Sequence, residues 1–386
     1  MAAERIVVVG SGPAGLAAVR GYRDAGGEGA VALVGAEAHL PYERPPLTKD
    51  FLRGETDRDQ LVLEPSSWFD EHSVVLHLGA RATRIDPERG EVLLDDGQRL
   101  EADACVLATG ARPLRPPLAG AEHDQVLEMR RVEDSERLSA RAATSARAIV
   151  IGSGFIGCEA AASLAMRGLD VTIVSSEELP QQARLGDAAA GHIAGWLREA
   201  GVTLMLDVEV AAIEDARRVR LADGRELAAD IVLLAAGVVP NSELAADAGL
   251  ELHDGTVPVD SSMRTAHPFL SAAGDLAWAE NRCAGRRLHI EHWGDALAQG
   301  EVAGRALAGQ AAVWDEVPGF WSTIGSHTLK HAAWGDGFDQ ARVVEHDNSA
   351  FTIWYTRDNV LVGVLTHECD EDYERGRQLI ARGESQ

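Results

Sequence analysis

Gly10, Gly12 and Gly15 stand in "IVVVGSGPAGLAA" (Ile6 to Ala18), and Gly152, Gly154 and Gly157 in "AIVIGSGFIGCEAA" (Ala148 to Ala161). Each set has the G-x-G-x-x-G spacing, directly after a run of β-branched residues and before a helix-forming run. The chemistry this pattern serves is dinucleotide binding. The first glycine permits a tight turn, the second lets backbone approach a pyrophosphate, and the third lets helix and strand pack closely. The helix start then offers N–H donors and a partial positive charge to the phosphates. Glu37 stands about as far beyond the first loop as an acid that meets an adenosine ribose. A ligand-free glycine turn is the plain alternative, and two loops that both meet every requirement argue against it.

Such loops must be held by strand–turn–helix–strand units, and the flanking sequence supplies two. "RIVVVG", "SGPAGLAAVRGYRDAG" and "GAVALVGAE" form the first; the second starts near Ala146 and runs through "GLDVTIVSS". The duplication continues downstream, because "ADACVLATGARP" is matched by "ADIVLLAAGVVP". The expected fold class is therefore α/β, with two Rossmann-like dinucleotide-binding domains. Pro41, Pro45 and Pro46 in "PYERPPLTKD" predict a stiff, extended loop with no regular element. The proline-rich "ARPLRPPLAG" marks a boundary, a return segment follows Leu244, and "HIEHWGDALAQGEVAGRALAG" reads as a helix of small residues. A Trp- and β-branched-rich C-terminal stretch with a charged closing helix reads as a third, α+β unit. The domain reading is 1–112 with 245–318, then 113–244, then 319–386.

Composition narrows the class. A formal net charge of −25 disfavours nucleic acid and anionic membranes as partners, since both need a basic footprint. "NRCAGRR" (Asn281 to Arg287) is the densest local basic patch. The start of the chain fits no secretory signal, no apolar stretch is long enough to span a bilayer, and the expected location is cytoplasmic. Cys105, Cys158, Cys283 and Cys369 are scattered, which disfavours disulfides, a zinc site and a redox dithiol. His327 and His331 share an i, i+4 spacing but have no evident third ligand, so no metal is expected.

The chain resembles the FAD-dependent pyridine nucleotide-disulfide oxidoreductases, and within them the ferredoxin reductase branch that serves putidaredoxin, rubredoxin and dioxygenase systems. The motifs that carry the resemblance are "VVGSGPAGLAA", "LPYERPPLTKD", "LATGARP", "IGSGFIGCEAA", "LAAGVVPN", "AAGD" and "EHWGDALAQG", in family order from residue 5 to about 310. It implies a glutathione-reductase-like arrangement of the two Rossmann-like domains. It also implies FAD on Gly10, Gly12, Pro13, Ala14 and Gly15, with Glu37 near the ribose and Arg44 at phosphate. Ala82, Thr109, Gly110, Arg112, Asp275, Glu291, His292 and Trp293 would complete the flavin site. The nicotinamide cofactor would take Gly152, Gly154, Phe155, Ile156, Gly157, Glu159, Ser175 and Gly237. Lys49 and Glu159 would pair beside the flavin as the catalytic couple, controlling charge and position where the hydride crosses. Read from the residues alone, Glu159 is an acid in the first turn of its helix, complementing the dipole.

Glutathione-type reductases carry a CxxxxC where this chain has "PYERPPLTK", so electrons are expected to leave the flavin for an outside acceptor. The implied function is an NAD(P)H-dependent ferredoxin reductase, with a ferredoxin-type iron–sulfur protein as partner. Arg282, Arg286, Arg287 and Lys330 are candidates for docking it. The alternative is a redox-sensing protein resembling apoptosis-inducing factor; a flavin-dependent peroxide or disulfide reductase is a weaker third reading. Ser175 stands where NADH-using relatives carry Glu, and no arginine replaces it. NADH is the expected cofactor because Glu177 and Glu178 repel a 2′-phosphate, with NADPH as the second option. Oligomeric state, monomer or homodimer, is left open.

Overall fold

The computed structural model describes residues 3–384, which fall into two compact units. One unit comprises Met1–Glu43, Val62–Arg112 and Val239–Phe320; the other comprises Arg44–Leu61, Pro113–Val238 and Trp321–Gln386.

The first unit is built on a five-stranded parallel sheet in the order Leu270–Ala272, Ala104–Leu107, Arg5–Val9, Ala30–Gly35, Val74–Leu78. Its central strands are nearly continuous apolar runs because both faces are covered, as parallel sheets require. A three-stranded antiparallel sheet (Ala82–Asp86, Glu91–Leu94, Arg99–Glu101) is inserted in the third crossover, between strands Val74–Leu78 and Ala104–Leu107. Helix Pro13–Asp24 is covered by helix Trp293–Leu307, and small residues set how closely they approach. A Cβ added at Gly304 would lie 2.0 Å from the Ala18 carbonyl oxygen, and one at Gly300 2.2 Å from that of Ala14. Gly304→Ala is therefore expected to cost about 2–3 kcal/mol of stability by forcing two backbones apart. A lowered urea midpoint checks this; an unchanged midpoint would mean the helices separate freely.

The second unit repeats the plan with four parallel strands: Ile231–Leu234, Arg147–Ile151, Asp170–Val174, Val202–Met205. Again a three-stranded antiparallel insertion follows (Val210–Glu214, Arg218–Leu221, Glu226–Ala228). Ala121, Val126, Ile149, Val174, Ile213 and Val232 join these two sheets in one apolar core. The C-terminal segment forms a sheet in the order Gly319–Ile324, His327–Ala333, Val360–His367, Phe351–Arg357, Gln340–Glu345, closed by helix Asp370–Arg382. The α/β expectation with an α+β C-terminal segment is thus met.

The proline segment departs from expectation. Pro45–Thr48 is a turn of 3-10 helix and Asp50–Arg53 a turn of α-helix, not an extended loop. Pro45 and Pro46 occupy the first positions of the turn, where a missing N–H and a fixed φ are tolerated.

Candidate active site

In the first glycine loop, each glycine answers to a different constraint. Gly10 has φ +118°, and a Cβ there would lie 2.0 Å from the Ala108 carbonyl oxygen. A Cβ at Gly15 would lie 1.8 Å from the Gly10 carbonyl oxygen. Both are required by the protein's own backbone. Gly12 is not: it has extended backbone (φ −79°, ψ −170°), and a Cβ there would meet nothing within 4 Å. It caps helix Pro13–Asp24 without any side-chain cap, so the bare helix start faces open space that a side chain could fill. The second loop has the same division. Gly152 (φ +107°) and Gly157 are blocked by the Ala235 and Gly152 carbonyl oxygens at 2.3 and 2.4 Å, whereas a Cβ at Gly154 would approach only Gln181 Nε2, at 3.8 Å. The one glycine in each loop that the fold leaves free is the one a pyrophosphate needs, so both loops fit a dinucleotide.

Around the first loop, Tyr42 Oη donates to Glu37 Oε2 at 2.5 Å. Gly110 has φ +63° and accepts from Asn241 N at 2.8 Å. Asn241 Nδ2 donates to the Thr109 carbonyl, Thr109 Oγ1 donates to the Asn241 carbonyl, and Arg112 Nη1 reaches Asn241 Oδ1 at 2.9 Å. Asn241 is therefore the organiser of this edge; its place at the end of "LAAGVVPN" was the signal for it. Asp275 follows Gly274 (φ +79°), and its carbonyl accepts from His289 Nε2 at 2.8 Å. His292 precedes helix Trp293–Leu307, Asp295 Oδ2 lies 3.2 Å from its Nδ1, and Glu291 lies 3.8 Å from His289. Trp293 is half-buried and Ala82 buried.

In the second unit, the Lys49–Glu159 pair is formed. Lys49 Nζ lies 2.5 Å from Glu159 Oε2, with Lys49 only 11% and Glu159 6% exposed at the side chain. Thr48 Oγ1 also donates to Oε2, at 2.5 Å, and Ser322 Oγ donates to Oε1 at 2.7 Å. A buried carboxylate with a cation and two hydroxyl donors is fully satisfied. Helix Phe155–Met166 places Glu159 at its fifth residue, past the first turn that the sequence suggested, so dipole compensation does not account for it. One turn further along the same face, Ser163 Oγ donates to the Thr48 carbonyl at 2.7 Å, and Ser135 Oγ donates to that of Leu47. These bonds fasten the segment that carries Lys49. Sequence reasoning missed Thr48, Ser135, Ser163 and Ser322. Arg44 Nη1 donates to the Arg130 carbonyl at 2.8 Å.

Phe155 and Ile156 open that helix, Ile156 exposed; Gly237 has φ +106° and accepts from Leu114 N. Ser175 is buried, its hydroxyl 2.7 Å from that of Ser153. His327 and His331 lie on a strand rather than a helix; His327 stacks on Trp196, and no three His, Cys, Asp or Glu converge as metal ligands among the described residues. Lys330 pairs with Asp370 at 2.6 Å, and Arg287 stacks over Trp278.

With this geometry in place, comparison with known proteins is decisive. The family model described as pyridine nucleotide-disulphide oxidoreductase matches residues 4–300. The chain belongs to this family. Rhodocoxin reductase of Rhodococcus erythropolis is 35% identical over 382 residues, covering 97% of this chain and 89% of that protein. A ferredoxin reductase from Rhodopseudomonas palustris superposes with TM-score 0.94 at 31% identity, covering 99% of this chain and 96% of that one. Putidaredoxin reductase in a covalent complex with putidaredoxin gives 0.93 at 29% identity, covering 99% and 94%. This pyridine nucleotide-disulphide oxidoreductase is therefore an oxidoreductase that uses FAD and NAD(P)H. No helix among its described residues is long and apolar enough to cross a membrane.

Cys105, Cys158, Cys283 and Cys369 form no disulfide. Burial pushes the Cys105 thiol up to about 12, and burial followed by the nearby Glu159 and Glu177 charges pushes Cys158 up further. Thiols held above the ambient pH are poor nucleophiles. At pH 8, iodoacetamide is expected to alkylate the exposed Cys283 while Cys105 and Cys158 stay unmodified until the chain unfolds. Peptide mapping checks this, and fast labelling of Cys158 would restore a thiol to the chemistry.

Proposed function

We propose that the chain is an NADH-preferring, FAD-containing ferredoxin reductase. FAD would be held at the first glycine loop with Glu37 and Asp275, and would supply the chemistry that converts a nicotinamide hydride into single electrons for an iron–sulfur protein. The observation that carries this reading is the unconstrained Gly12 and Gly154, one at each of two bare helix starts. The first loop, with Glu37, the Thr109–Asn241–Arg112 cluster and Asp275, holds the flavin nucleotide. The second loop holds the nicotinamide nucleotide. The Lys49–Glu159 pair fixes charge and orientation for the hydride transfer. The named relatives, rhodocoxin reductase and putidaredoxin reductase with putidaredoxin, support a small ferredoxin-type acceptor. Arg282, Arg286 and Arg287 offer it a local basic face on a chain of charge −25. The reading includes the FAD domain as 1–112 with 245–318, a nicotinamide domain 113–244, a C-terminal domain 319–386 and a cytoplasmic location.

The test is anaerobic titration of the yellow protein with NADH, followed by addition of a ferredoxin. NADH should bleach the flavin and the ferredoxin should be reduced catalytically. Turnover only with a disulfide or peroxide would overturn the assignment.

A further inference from the structure

Ser175 directly follows the second strand of the nicotinamide half (Asp170–Val174), where an acid is expected to meet the adenosine ribose. The chain's internal repeat points elsewhere. In the first unit Val9 pairs with Val34 and Gly10 N donates to the Val34 carbonyl at 2.8 Å; in the second Ile151 pairs with Val174 and Gly152 N donates to the Val174 carbonyl at 2.9 Å. Three residues beyond each valine stand Glu37 and Glu177. The match holds after the strands end. Ala80 N donates to the Gly35 carbonyl and Val208 N to that of Ser175, both at 3.0 Å. Gly79 N donates to the Glu37 carbonyl and Asp207 N to that of Glu177, both at 2.9 Å. Glu177 is thus the backbone counterpart of Glu37.

The side chains agree. In the first unit the strand-end position must be Gly35, because a Cβ there would lie 2.3 Å from Ser11 Oγ. Its counterpart Ser175 instead bonds Ser153, the counterpart of Ser11, at 2.7 Å. Ser153 Oγ donates in turn to Glu177 Oε2 at 2.7 Å, and Glu177 N donates to Ser175 Oγ at 3.2 Å, which closes a ring. Gln181 N adds a bond to the same Oε2 at 3.3 Å, while Gln181 Nε2 holds the Ser153 carbonyl of the glycine loop. Ser175, 7% exposed, is committed to this ring and is not a ribose ligand. The carboxylate of Glu177 is fixed against the glycine loop by Oε2, with Oε1 outside the ring.

We infer that Glu177 is the residue that accepts the adenosine ribose hydroxyls of the nicotinamide dinucleotide and selects NADH over NADPH. This rests on the proposed assignment of the second loop to the nicotinamide cofactor. A held carboxylate accepts hydrogen bonds from the ribose hydroxyls, whereas a 2′-phosphate in the same place meets like charge from Glu177 and from Glu178. No basic residue lies between Ser175 and Gln182; Arg184, in the first turn of the next helix, is the first in sequence.

The test is calorimetric titration of the FAD-loaded protein with NAD⁺ and with NADP⁺, neither of which turns over. The wild type is expected to bind NAD⁺ at least about 10-fold more tightly than NADP⁺. E177Q should lose about 10-fold in NAD⁺ affinity while NADP⁺ affinity holds or rises, so that the preference collapses. A merely structural role for Glu177 would lower both affinities together, and that result overturns the inference, as does an unchanged preference. If the wild type binds neither nucleotide, the assignment of the second loop fails first and takes this inference with it.

Discussion

Lys49→Met is expected to destabilise the protein by about 3 kcal/mol, although it removes a single charge from an acidic chain. The reason is what it leaves behind. Glu159 is 5% exposed and its carboxylate is held by Lys49, Thr48 and Ser322. Breaking a buried pair costs about 3–5 kcal/mol because one charge is stranded, and two surviving hydroxyl donors bring the figure to the low end. Glu159→Gln strands the ammonium instead, but Lys49 Nζ keeps the Pro45 carbonyl at 2.9 Å, so about 1–2 kcal/mol is expected. The double variant Lys49→Met with Glu159→Gln should recover most of the loss, since no buried charge remains. Urea midpoints of the four proteins give the coupling, and additive losses would show that the pair does not interact. Flavin bleaching by NADH should meanwhile slow by about 10- to 100-fold in Glu159→Gln, because a misplaced nicotinamide loses its alignment.

What the sequence disclosed follows from the range of the forces involved. The glycine loops and Val/Ile strands were legible because turn sterics and two-sided burial act locally. The pairing of Lys49 with Glu159 came through family resemblance, and its geometry confirms the contact. The hydroxyls that complete the site were not legible. Thr48, Ser163 and Ser322 are ordinary residues in sequence, and only the fold brings Ser322, far along the chain, against Glu159. The helix start was misjudged by part of a turn, which moved Glu159 out of the dipole's reach. The proline turn was misjudged because Pro45 and Pro46 block a helix interior but not its opening. Glu177 was visible as a charge, yet its equivalence to Glu37 emerged only from strand register and the backbone bonds to Asp207 and Gly79.

The glycines of the two loops should separate folding from cofactor binding. Gly15→Ala puts a methyl 1.8 Å from the Gly10 carbonyl oxygen, and Gly10→Ala adds a φ of +118° to a 2.0 Å collision with Ala108. Backbone cannot yield cheaply at either place, so each is expected to cost about 4 kcal/mol or more in the apoprotein. Gly12→Ala meets nothing within 4 Å, and its extended backbone suits any residue. Its apoprotein should unfold within about 1 kcal/mol of wild type, the cost of a poorer helix cap. Yet the methyl stands where a pyrophosphate must approach the helix start, so FAD affinity should fall by at least about 10-fold. Gly154→Ala should keep its FAD and lose NAD⁺ affinity instead, because its only near neighbour is Gln181 Nε2 at 3.8 Å. Apoprotein midpoints are the right comparison, since lost flavin alone would lower the apparent stability of a holoprotein. Full FAD retention by Gly12→Ala would remove the first loop from the flavin site. Loss of FAD by Gly154→Ala with NAD⁺ binding intact would reverse the assignment of the two halves.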